Sequence, residues 1–380
     1  MDVDRVTELA GDIATHMAGA TTMAMVHIGD ELGLYRAMAG AGPMTAAMLA
    51  QAVNCHPRLV TEWLRQQAAV GLVELHGEER GDFPGEGEGG DHHPPGRGLV
   101  NLPGGGEEEV LFELSDEAAV VLAWEVSPAF LAGGIGMFRS MFADMDDILE
   151  AFRGDGALAW GDHHPCLFTS TARFFRPQYE AYLANEWIPA ADGIHSKLQA
   201  GAAAADVGCG CGDSVQILAS AYPLSRFTGI DFHGPSIDRA IELAAAAGLD
   251  NASFEVADSK GYRGPYDVIF FLDCLHDMGD PVGAAAHARS QLTEGGSVLV
   301  VEPFALDGHT RNLAENPMAA TSYGASAVFC TPCSLAQPVG LGLGAQAGES
   351  AMRAVFTEAG YSRFERVTET RSNIVYQARP

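Results

Sequence analysis

Three glycines at alternate positions constrain this chain more than any other feature. They are Gly208, Gly210 and Gly212, in the segment 205–214, which reads ADVGCGCGDS. Glycine lets the backbone turn with positive φ and approach a ligand where any Cβ would collide. A short apolar stretch precedes this segment, and Val215–Ser220 after it is apolar enough for a helix packed on a sheet. Strand, glycine turn and helix N-terminus together predict a nucleotide site at the carboxyl edge of an α/β sheet.

The C-terminal part of the chain, residues 200–380, alternates strand and helix patterns. The predicted strands are Ala204–Val207, Arg226–Ile230, Ser253–Val256, Val268–Leu272, Ser297–Val301, Arg363–Glu369 and Ile374–Ala378. The predicted helices are Asp213–Ala221, Pro235–Ala247, Pro281–Leu292 and Glu349–Ala359. Such alternation predicts a Rossmann-like α/β fold, with a doubly wound, largely parallel sheet of seven strands.

Residues 1–115 predict a second, mainly helical domain of the winged-helix type. Its predicted elements are helices over Val3–Met17, Met23–Met38, Thr45–Val53 and Pro57–Val70, then strands over Leu72–Leu75 and Val110–Leu114. Between the strands lies Gly77–Glu109, which is so poor in apolar residues that we expect a flexible insertion. Its neighbouring His92 and His93 are expected to be solvated loop residues and not metal ligands.

Residues 116–199 predict a helical linker that caps the substrate. Asp116–Phe152 and Gln178–Leu198 have helical patterns, and Trp160–Phe175 between them is irregular and aromatic. Four aromatic side chains here are expected to line a pocket for a small molecule that reacts beside the nucleotide: Trp160, Phe174, Phe175 and Tyr179. Core packing is the alternative for each of them, and for His163 and His164 it is favoured over a substrate role. The apolar, glycine-rich Ala319–Gly344 is expected to cover the substrate.

Composition restricts the partners and the compartment. The formal net charge is −28, from 22 basic and 50 acidic side chains, which disfavours nucleic acid and anionic membranes as partners. No apolar run approaches the ~20 residues that span a bilayer. The acidic N-terminus is unlike a secretory signal and the seven cysteines form no disulfide framework, so we expect a cytoplasmic protein. Cys330 and Cys333 are expected to be reduced cysteines of a loop, and no metal site is predicted.

Acidic residues at the predicted strand ends indicate which nucleotide is bound. Asp231 closes the second strand, where a carboxylate accepts hydrogen bonds from both ribose hydroxyls. Asp258 follows the third strand, where it can hold the amine of an adenine. Asp206 and Asp213 flank the glycine turn and would repel a pyrophosphate, whereas they suit a cation. S-adenosylmethionine combines ribose, adenine, ammonium and sulfonium, so this pattern favours it over NAD.

We therefore expect twelve residues at four strand ends to contact S-adenosylmethionine. They are Asp206, Gly208, Cys209, Gly210, Gly212, Asp231, Phe232, His233, Asp258, Ser259, Asp273 and Cys274.

His276 is the candidate general base. It lies in Leu275-His276-Asp277, directly after the fourth strand and beside the expected methyl position. An ordinary imidazole pKa of ~6.5 suits removal of a proton from an acceptor hydroxyl at neutral pH. A structural role, capping the helix that follows, is the alternative. A thioether or tertiary amine acceptor would need no base, so the acceptor atom stays open.

Five motifs, in order, resemble those of class I S-adenosylmethionine-dependent methyltransferases: ADVGCGCGDS, GIDFHGPSI, VADS, YDVIFFLDCLHDMGDP and GGSVLVVEP. The chain is similar in particular to bacterial enzymes that join this fold to an N-terminal winged-helix domain, related to small-molecule O-methyltransferases. That resemblance implies that His276 is the base, that Glu302 orients it and that Asp277 braces the loop. It also implies S-adenosylhomocysteine as product, a small organic acceptor and a homodimer. The second glutamate of such sites has no match here.

A regulator that binds DNA and senses S-adenosylmethionine is the competing class of function. Its recognition helix would be Pro57–Val70, where only Arg58 and Arg65 are basic and Glu62 opposes them. DNA-reading helices normally carry a denser basic face, so the enzyme is favoured.

Overall fold

The computed structural model describes residues 1–76 and 110–380. The insertion predicted at Gly77–Glu109, with His92 and His93, lies outside the described residues. The chain divides into two compact units, Met1–Ile135 and Gly136–Pro380. No helix of the described ranges has both the length and the apolar character needed to cross a bilayer.

The first unit is a helical domain with a small antiparallel strand pair. Its elements are α1 (Val3–Glu31), α2 (Leu34–Met38), α3 (Ala46–Ala52), α4 (Pro57–Ala69), β1 (Glu74–His76), β2 (Leu111–Glu113), α5 (Asp116–Leu122) and a 3₁₀ turn, Ala132–Gly134. The Thr45 hydroxyl accepts the Met48 N–H and begins α3, and Pro57 opens α4. Tyr35, Trp63 and Phe112 are buried in its core. Three short helices and a hairpin form the predicted winged helix.

The N-terminal helix differs from its prediction. We expected two helices, Val3–Met17 and Met23–Met38, but α1 is continuous to Glu31. Nothing between the two predicted helices breaks a helix except Gly19, and one glycine costs only about 1 kcal/mol. The chain turns instead at Gly33, where φ is +72°.

The second unit holds the large sheet and the helices on its two faces. Before the sheet come α6 (Ile135–Ala143), α7 (Met145–Arg153), a 3₁₀ turn (Trp160–Asp162), α8 (Cys166–Gln178), a π-helical stretch (Tyr179–Trp187), α9 (Ile188–Ala190) and α10 (Ile194–Ala200). The helical pattern predicted over Asp116–Phe152 corresponds to four separate elements, which are α5, the 3₁₀ turn, α6 and α7. The segment predicted as irregular, Trp160–Phe175, is largely helical, since α8 begins directly after Pro165.

The sheet elements follow from Ala203 to the C-terminus. They are β3 (Ala203–Val207), α11 (Asp213–Ala221), β4 (Arg226–Asp231), α12 (Gly234–Ala246), β5 (Ala252–Val256), β6 (Tyr266–Leu272), a 3₁₀ turn (Leu275–Asp277), α13 (Pro281–Gln291), β7 (Leu292–Pro303), α14 (His309–Glu315), α15 (Ala319–Ala325), a π-helical stretch (Ser326–Cys330), α16 (Thr331–Leu335), α17 (Gly348–Glu358), β8 (Arg363–Glu369) and β9 (Asn373–Arg379). Cys330 and Cys333 therefore lie in helical turns and not in the loop that we expected.

Sheet topology fixes where a ligand can bind. The strand order is β5-β4-β3-β6-β7-β9-β8, with β9 antiparallel to both neighbours and the other pairs parallel. The predicted seven-stranded, doubly wound α/β sheet is confirmed. The order reverses between β3 and β6, and such a switch point opens a crevice at the carboxyl ends of the strands. The glycine turn follows β3, and His276 follows β6.

Candidate active site

The glycine turn after β3 has three residues with positive φ, at +81° for Gly208, +53° for Gly210 and +75° for Gly212. A Cβ on Gly208 would lie 2.8 Å from Cys274, and one on Gly212 would lie 2.5 Å from the Phe254 ring. Among the residues that the structure describes, a Cβ on Gly210 would meet nothing within 4 Å. The outer glycines therefore permit close packing, and the middle one faces open space that a ligand can fill.

Asp231, at the end of β4, ties that turn to the neighbouring strand. Its Oδ2 accepts the Gly210 N–H at 2.9 Å, and its Oδ1 accepts the His233 N–H at 2.8 Å. Burial raises the pKa of Asp231, whereas these backbone hydrogen bonds lower it. Each carboxylate oxygen keeps a second lone pair, so Asp231 can still accept hydrogen bonds from a ligand.

Asp206, at the carboxyl end of β3, is a buried acid with one oxygen unused. The Ser214 hydroxyl donates to its Oδ2, and its Oδ1 has no hydrogen-bond partner among the described residues. Burial raises the pKa of Asp206 to about 7, and the nearby Asp231 carboxylate adds to this shift. An unpaired buried carboxylate oxygen is costly by itself and favours a cation beside it.

Asp273, just after β6, is a second buried acid in the crevice. Its φ is +53°, which is uncommon for a residue other than glycine and typical of functional sites. The Asn373 amide donates to its Oδ1 at 2.6 Å, and the Tyr179 hydroxyl donates to its Oδ2 at 3.3 Å. Burial, followed by the Glu302 charge, raises the pKa of Asp273 to about 8.

His276 lies on the 3₁₀ turn that follows β6 and pairs with Glu302 at the end of β7. The His276 Nδ1 is 2.5 Å from the Glu302 Oε2, and the other Glu302 oxygen accepts the Leu275 N–H at 3.1 Å. Both side chains are buried. A carboxylate at Nδ1 holds the proton on that nitrogen, so Nε2 is the nitrogen whose lone pair can accept another proton. Burial lowers the pKa of His276, but the Asp277 and Glu302 charges outweigh it and raise that pKa well above its ordinary value.

Two further groups face His276 on its Nε2 side. The Asp277 Oδ1 lies 3.1 Å from Nε2, and the Cys330 thiol belongs to the same group of atoms, all within 4.8 Å of one another. Burial raises the pKa of the Cys330 thiol to about 12. Cys330 ends the π-helical stretch Ser326–Cys330, which therefore lies over the catalytic candidate.

Comparison with known proteins decides what kind of domain carries this crevice. Residues 198–360 match the family described as "Methyltransferase domain", and residues 20–83 match the "Rv2258c-like winged HTH domain". The chain contains a methyltransferase domain. The predicted class I fold with an N-terminal winged helix is thereby confirmed.

Curated relatives match over shorter stretches. A trans-aconitate 2-methyltransferase of Klebsiella pneumoniae (strain 342) is 35% identical over 100 residues, which are 26% of this chain and 38% of that protein. A tRNA (guanine-N(7)-)-methyltransferase of Rubrobacter xylanophilus (strain DSM 9941) is 43% identical over 55 residues, 14% of this chain and 25% of that protein. The chain thus spans well under two thirds of either relative.

Solved structures match over the whole length. The mitomycin 7-O-methyltransferase MmcR has a TM-score of 0.65 at 20% identity, covering 100% of both chains. Human N-acetylserotonin methyltransferase, in complex with SAM, has a TM-score of 0.66 at 17% identity, covering 98% of this chain and 97% of that one. At these identities the likeness concerns the fold.

The residues predicted for the adenine end of the methyltransferase domain lie at the rim of the crevice. Asp258 is exposed, and its Oδ1 accepts the Lys260 N–H at 2.7 Å, while Ser259 is half-buried. Phe232 is 49% exposed, a large apolar side chain beside the polar crevice. The His233 ring lies against Phe168, with ring centroids 4.4 Å apart. Phe168, on α8, is a contact that the sequence did not reveal.

The four aromatic residues predicted for the acceptor pocket fall into two groups. Phe175 stacks on Tyr179 with ring centroids 5.8 Å apart, and Phe174 packs edge-on against Phe175. Trp160 packs instead against Phe168, next to the cluster formed by Leu167 and Phe329. The Tyr179 hydroxyl bonds Asp273, so this side chain lies at the end of the crevice lined by acids.

Arg176 lies beside the glycine turn, a position that the sequence did not reveal. Its Nη1 donates to the Asp213 Oδ1 at 2.6 Å, directly beside the glycine turn. Asp213 therefore already has a cationic partner, and the attraction for a cation in the crevice rests on Asp206 and Asp273. Arg176 is separated from the turn by 37 positions, and no local pattern pairs the two.

Proposed function

We propose that this protein is an S-adenosylmethionine-dependent methyltransferase that acts on a small organic acceptor and methylates an oxygen atom. The observation that carries this proposal is the buried His276–Glu302 pair at the same sheet edge as the glycine turn. Two of the solved structures that share this fold support the same class of acceptor, because their names specify O-methylation of mitomycin and methylation of N-acetylserotonin.

The crevice fits the cofactor in charge and in shape. Open space at Gly210 admits a ligand against the backbone, and the Asp231 carboxylate would accept hydrogen bonds from the ribose hydroxyls. The unused Asp206 oxygen and the Asp273 carboxylate lie where an ammonium and a sulfonium would be favoured. The remaining contacts would come from the adenine-side residues at the rim, Asp258 among them.

The protein's part in catalysis is to align the acceptor and remove its proton. S-adenosylmethionine supplies an electrophilic methyl group, with S-adenosylhomocysteine as the leaving product. In its neutral form, the His276 Nε2 would take the proton of an acceptor hydroxyl as the oxygen attacks, and Glu302 keeps the ring in the required tautomer. Because the pKa of His276 is raised, this form is favoured as the pH rises. Asp277 braces the turn and faces the same nitrogen.

A sulfur or nitrogen acceptor is the second candidate, and one observation favours it. The side of His276 that would receive a proton already faces the Asp277 carboxylate and the Cys330 thiol. Thioethers and tertiary amines are nucleophilic without deprotonation, so they would need His276 only for positioning.

Two measurements test the proposal. Calorimetry should detect binding of both S-adenosylmethionine and S-adenosylhomocysteine, and no binding of either would refute the cofactor assignment. Incubation of cell extract with methyl-labelled cofactor should then transfer label to a small molecule. Label recovered in DNA or protein instead would refute the acceptor class.

The affinity for S-adenosylmethionine is expected to rise with pH. Asp206 has a pKa of about 7 without a ligand, so it is mostly neutral at pH 6 and mostly ionised at pH 7.5. Because only the carboxylate attracts the cationic ligand, the dissociation constant should fall about fivefold to tenfold over this range. Calorimetry at both pH values measures this. The Asp206→Asn variant should show a weaker dependence, with the remainder due to Asp273, whose pKa is about 8; an equal dependence in that variant would contradict the assignment.

The N-terminal helix supports a homodimer as the working assembly. Val6, Leu9, Ile13 and Met17 form one face of α1, and each is between 47% and 66% exposed. A helix in water gains most of its stability from packing an apolar face, so this stripe favours a partner. We propose a second copy of the chain as that partner, because the same stripe on both copies is self-complementary under two-fold symmetry.

Ile13→Asp is therefore expected to convert the dimer into a monomer. The change places a charge in the centre of the stripe, where burial against another helix would be unfavourable. Light scattering after gel filtration measures the mass. Thr15→Asp adds the same charge on the opposite face of α1 and should leave the dimer intact. A monomeric wild-type protein, or equal masses for both variants, would exclude this interface.

The remaining partner and compartment assignments are proposals too. We propose that the winged helix does not bind DNA, because Arg58 and Arg65 on α4 both pair with Glu62. A gel shift with genomic fragments at moderate salt tests this. We propose a cytoplasmic location because all seven cysteines are free thiols, which persist in a reducing compartment.

A further inference from the structure

Three groups of different chemistry converge on the side of His276 that faces away from Glu302. They are the His276 imidazole, the Asp277 carboxylate and the Cys330 thiol, and one ligand atom of each lies within 4.8 Å of the other two. His276 and Cys330 are each at most 9% exposed. The cluster combines nitrogen, oxygen and sulfur, and nothing in the proposed methyl transfer requires the sulfur.

The Asp277 oxygen is close to the imidazole without being hydrogen-bonded to it. Its Oδ1 is 3.1 Å from the His276 Nε2 and has no partner in hydrogen-bond geometry among the described residues, while the Cys330 thiol interacts with both side chains. The oxygen and the nitrogen are therefore close together, but their lone pairs are not directed along the line that joins them. Neighbouring ligands of one metal ion have this relation, because their lone pairs converge on a third point.

On its other side, His276 is already held as a metal-bound histidine usually is. Metal-ligating histidines almost always donate their second ring N–H to a carboxylate or carbonyl, which fixes the ring and raises its basicity. Here the Nδ1 of His276 pairs with Glu302, which is itself fixed by the Leu275 N–H.

We propose that His276, Asp277 and Cys330 form a binding site for one zinc ion. Zinc takes histidine nitrogen, carboxylate oxygen and cysteine sulfur at about 2.0–2.3 Å, so ligand atoms about 3–4 Å apart surround it. The separation of 3.1 Å fits this spacing. Magnesium and calcium prefer oxygen ligands only, so they suit the cluster less. Three protein ligands leave one coordination position for another molecule.

Zinc and the base role would exclude each other, and this consequence rests on the proposed function. A zinc ion would occupy the Nε2 lone pair that accepts the acceptor's proton. Binding also displaces the thiol proton of Cys330 to solvent, because cysteine ligates as thiolate. Zinc should therefore inhibit methyl transfer to a hydroxyl, and a chelator should restore it.

Cobalt(II) is the probe that separates this site from other metal-binding groups of the chain. Cobalt bound to a thiolate has a sulfur-to-metal charge-transfer absorption that nitrogen and oxygen ligands do not give. Glu74, His76 and Glu113 on the β1–β2 hairpin also lie close together, but that group has no sulfur. The segment 77–109, which contains His92 and His93, has no cysteine.

The test uses the full chain, stripped of metal with a chelator. Cobalt(II) is added to the wild type and to two cysteine variants, and zinc content after dialysis is measured by mass spectrometry. The wild type should show the charge-transfer band and retain one zinc ion more than Cys330→Ser after dialysis. The Cys330→Ser variant should lose the band and bind zinc at this site at least about tenfold more weakly. Cys333→Ser is the matched control, because this neighbouring thiol is engaged by the Gln337 amide at 3.4 Å. It should keep the band.

Each outcome decides the question. Absence of the band in the wild type, or its persistence in Cys330→Ser, would overturn the site. If Cys330→Ser fails to fold, Asp277→Asn replaces it and should weaken zinc binding while keeping the sulfur band at higher cobalt. An inactive but zinc-binding protein would count against the proposed methyl transfer and leave the metal site standing. An active protein without the band would count against the metal site and leave the proposed methyl transfer standing.

Discussion

His276→Gln is expected to lower turnover by about 100-fold or more with a hydroxyl acceptor, because positioned general bases contribute about 10²–10⁴ in rate. Glutamine keeps a hydrogen-bonding side chain of similar length near Glu302 but cannot accept a proton at neutral pH. The affinity for S-adenosylmethionine should stay within about threefold of wild type, since His276 is not among the residues expected to hold the cofactor. Label transfer to the identified acceptor measures the rate, and calorimetry measures the affinity.

His195→Gln is the control for that experiment. This histidine lies in the same unit, is half-buried and bonds the Tyr222 hydroxyl at 2.9 Å, so it tests a loss of packing without a loss of the base. Its turnover should be close to that of the wild type. A loss below about tenfold in His276→Gln, with folding intact, would remove the base and favour a sulfur or nitrogen acceptor.

Glu302→Gln distinguishes positioning from chemistry. The amide oxygen can still accept from the His276 Nδ1, but the charge that stabilises an imidazolium is lost and the amide NH2 replaces the oxygen that accepts the Leu275 N–H. Turnover should therefore fall by less than in His276→Gln, with cofactor affinity unchanged. A merely structural role would instead change thermal stability and leave turnover per folded molecule as it is.

The strands of the sheet and the place of the crevice follow from local sequence. Strands such as Val268–Leu272 are short, apolar and bounded by polar residues, so their period and length identify them without tertiary knowledge. The three glycines mark the turn after β3 because other residues rarely adopt positive φ. A parallel sheet then places the ends of β3, β4 and β6 at one edge, which is how Asp206, Asp231 and His276 were predicted together.

What the sequence did not reveal depends on contacts between distant elements. The Arg176–Asp213 pair joins α8 to the glycine turn, and the segment containing α8 had been predicted as irregular. Cys330 reaches His276 from a π-helical stretch 54 positions away, although its own neighbourhood resembled a loop. Hydrophobic periodicity in the sequence does not indicate either contact, because the direction of each side chain depends on how its helix packs on the sheet.

The partition of the predicted aromatic pocket has the same origin. Trp160 and Tyr179 both lie before the sheet and have similar apolar surroundings in sequence. In the fold, Tyr179 donates to Asp273 at the acid-lined end of the crevice, and Trp160 packs near Phe329. Packing in the fold, and not composition, therefore separates these two side chains.

Asp231→Ala is expected to weaken binding of S-adenosylmethionine by about 10-fold to 100-fold. A hydrogen bond to a charged group contributes about 1.5–3 kcal/mol, so losing one bond from a ribose hydroxyl corresponds to about this range. The variant also frees the Gly210 and His233 N–H groups, so the glycine turn loses the contact that fixes it to β4. Calorimetry with S-adenosylmethionine and S-adenosylhomocysteine should show similar losses, since both ligands carry the ribose.

Asp267→Ala is the matched control for this change. Asp267 is also a carboxylate that accepts two hydrogen bonds, from the Ala203 N–H at 2.9 Å and the Thr293 hydroxyl at 2.8 Å. It lies at the amino end of β6, at the edge of the sheet opposite the crevice, so its loss should lower stability and leave cofactor affinity unchanged. Equal affinity losses in both variants would mean that Asp231 acts through the fold. An unchanged affinity in Asp231→Ala would place the ribose elsewhere in the crevice.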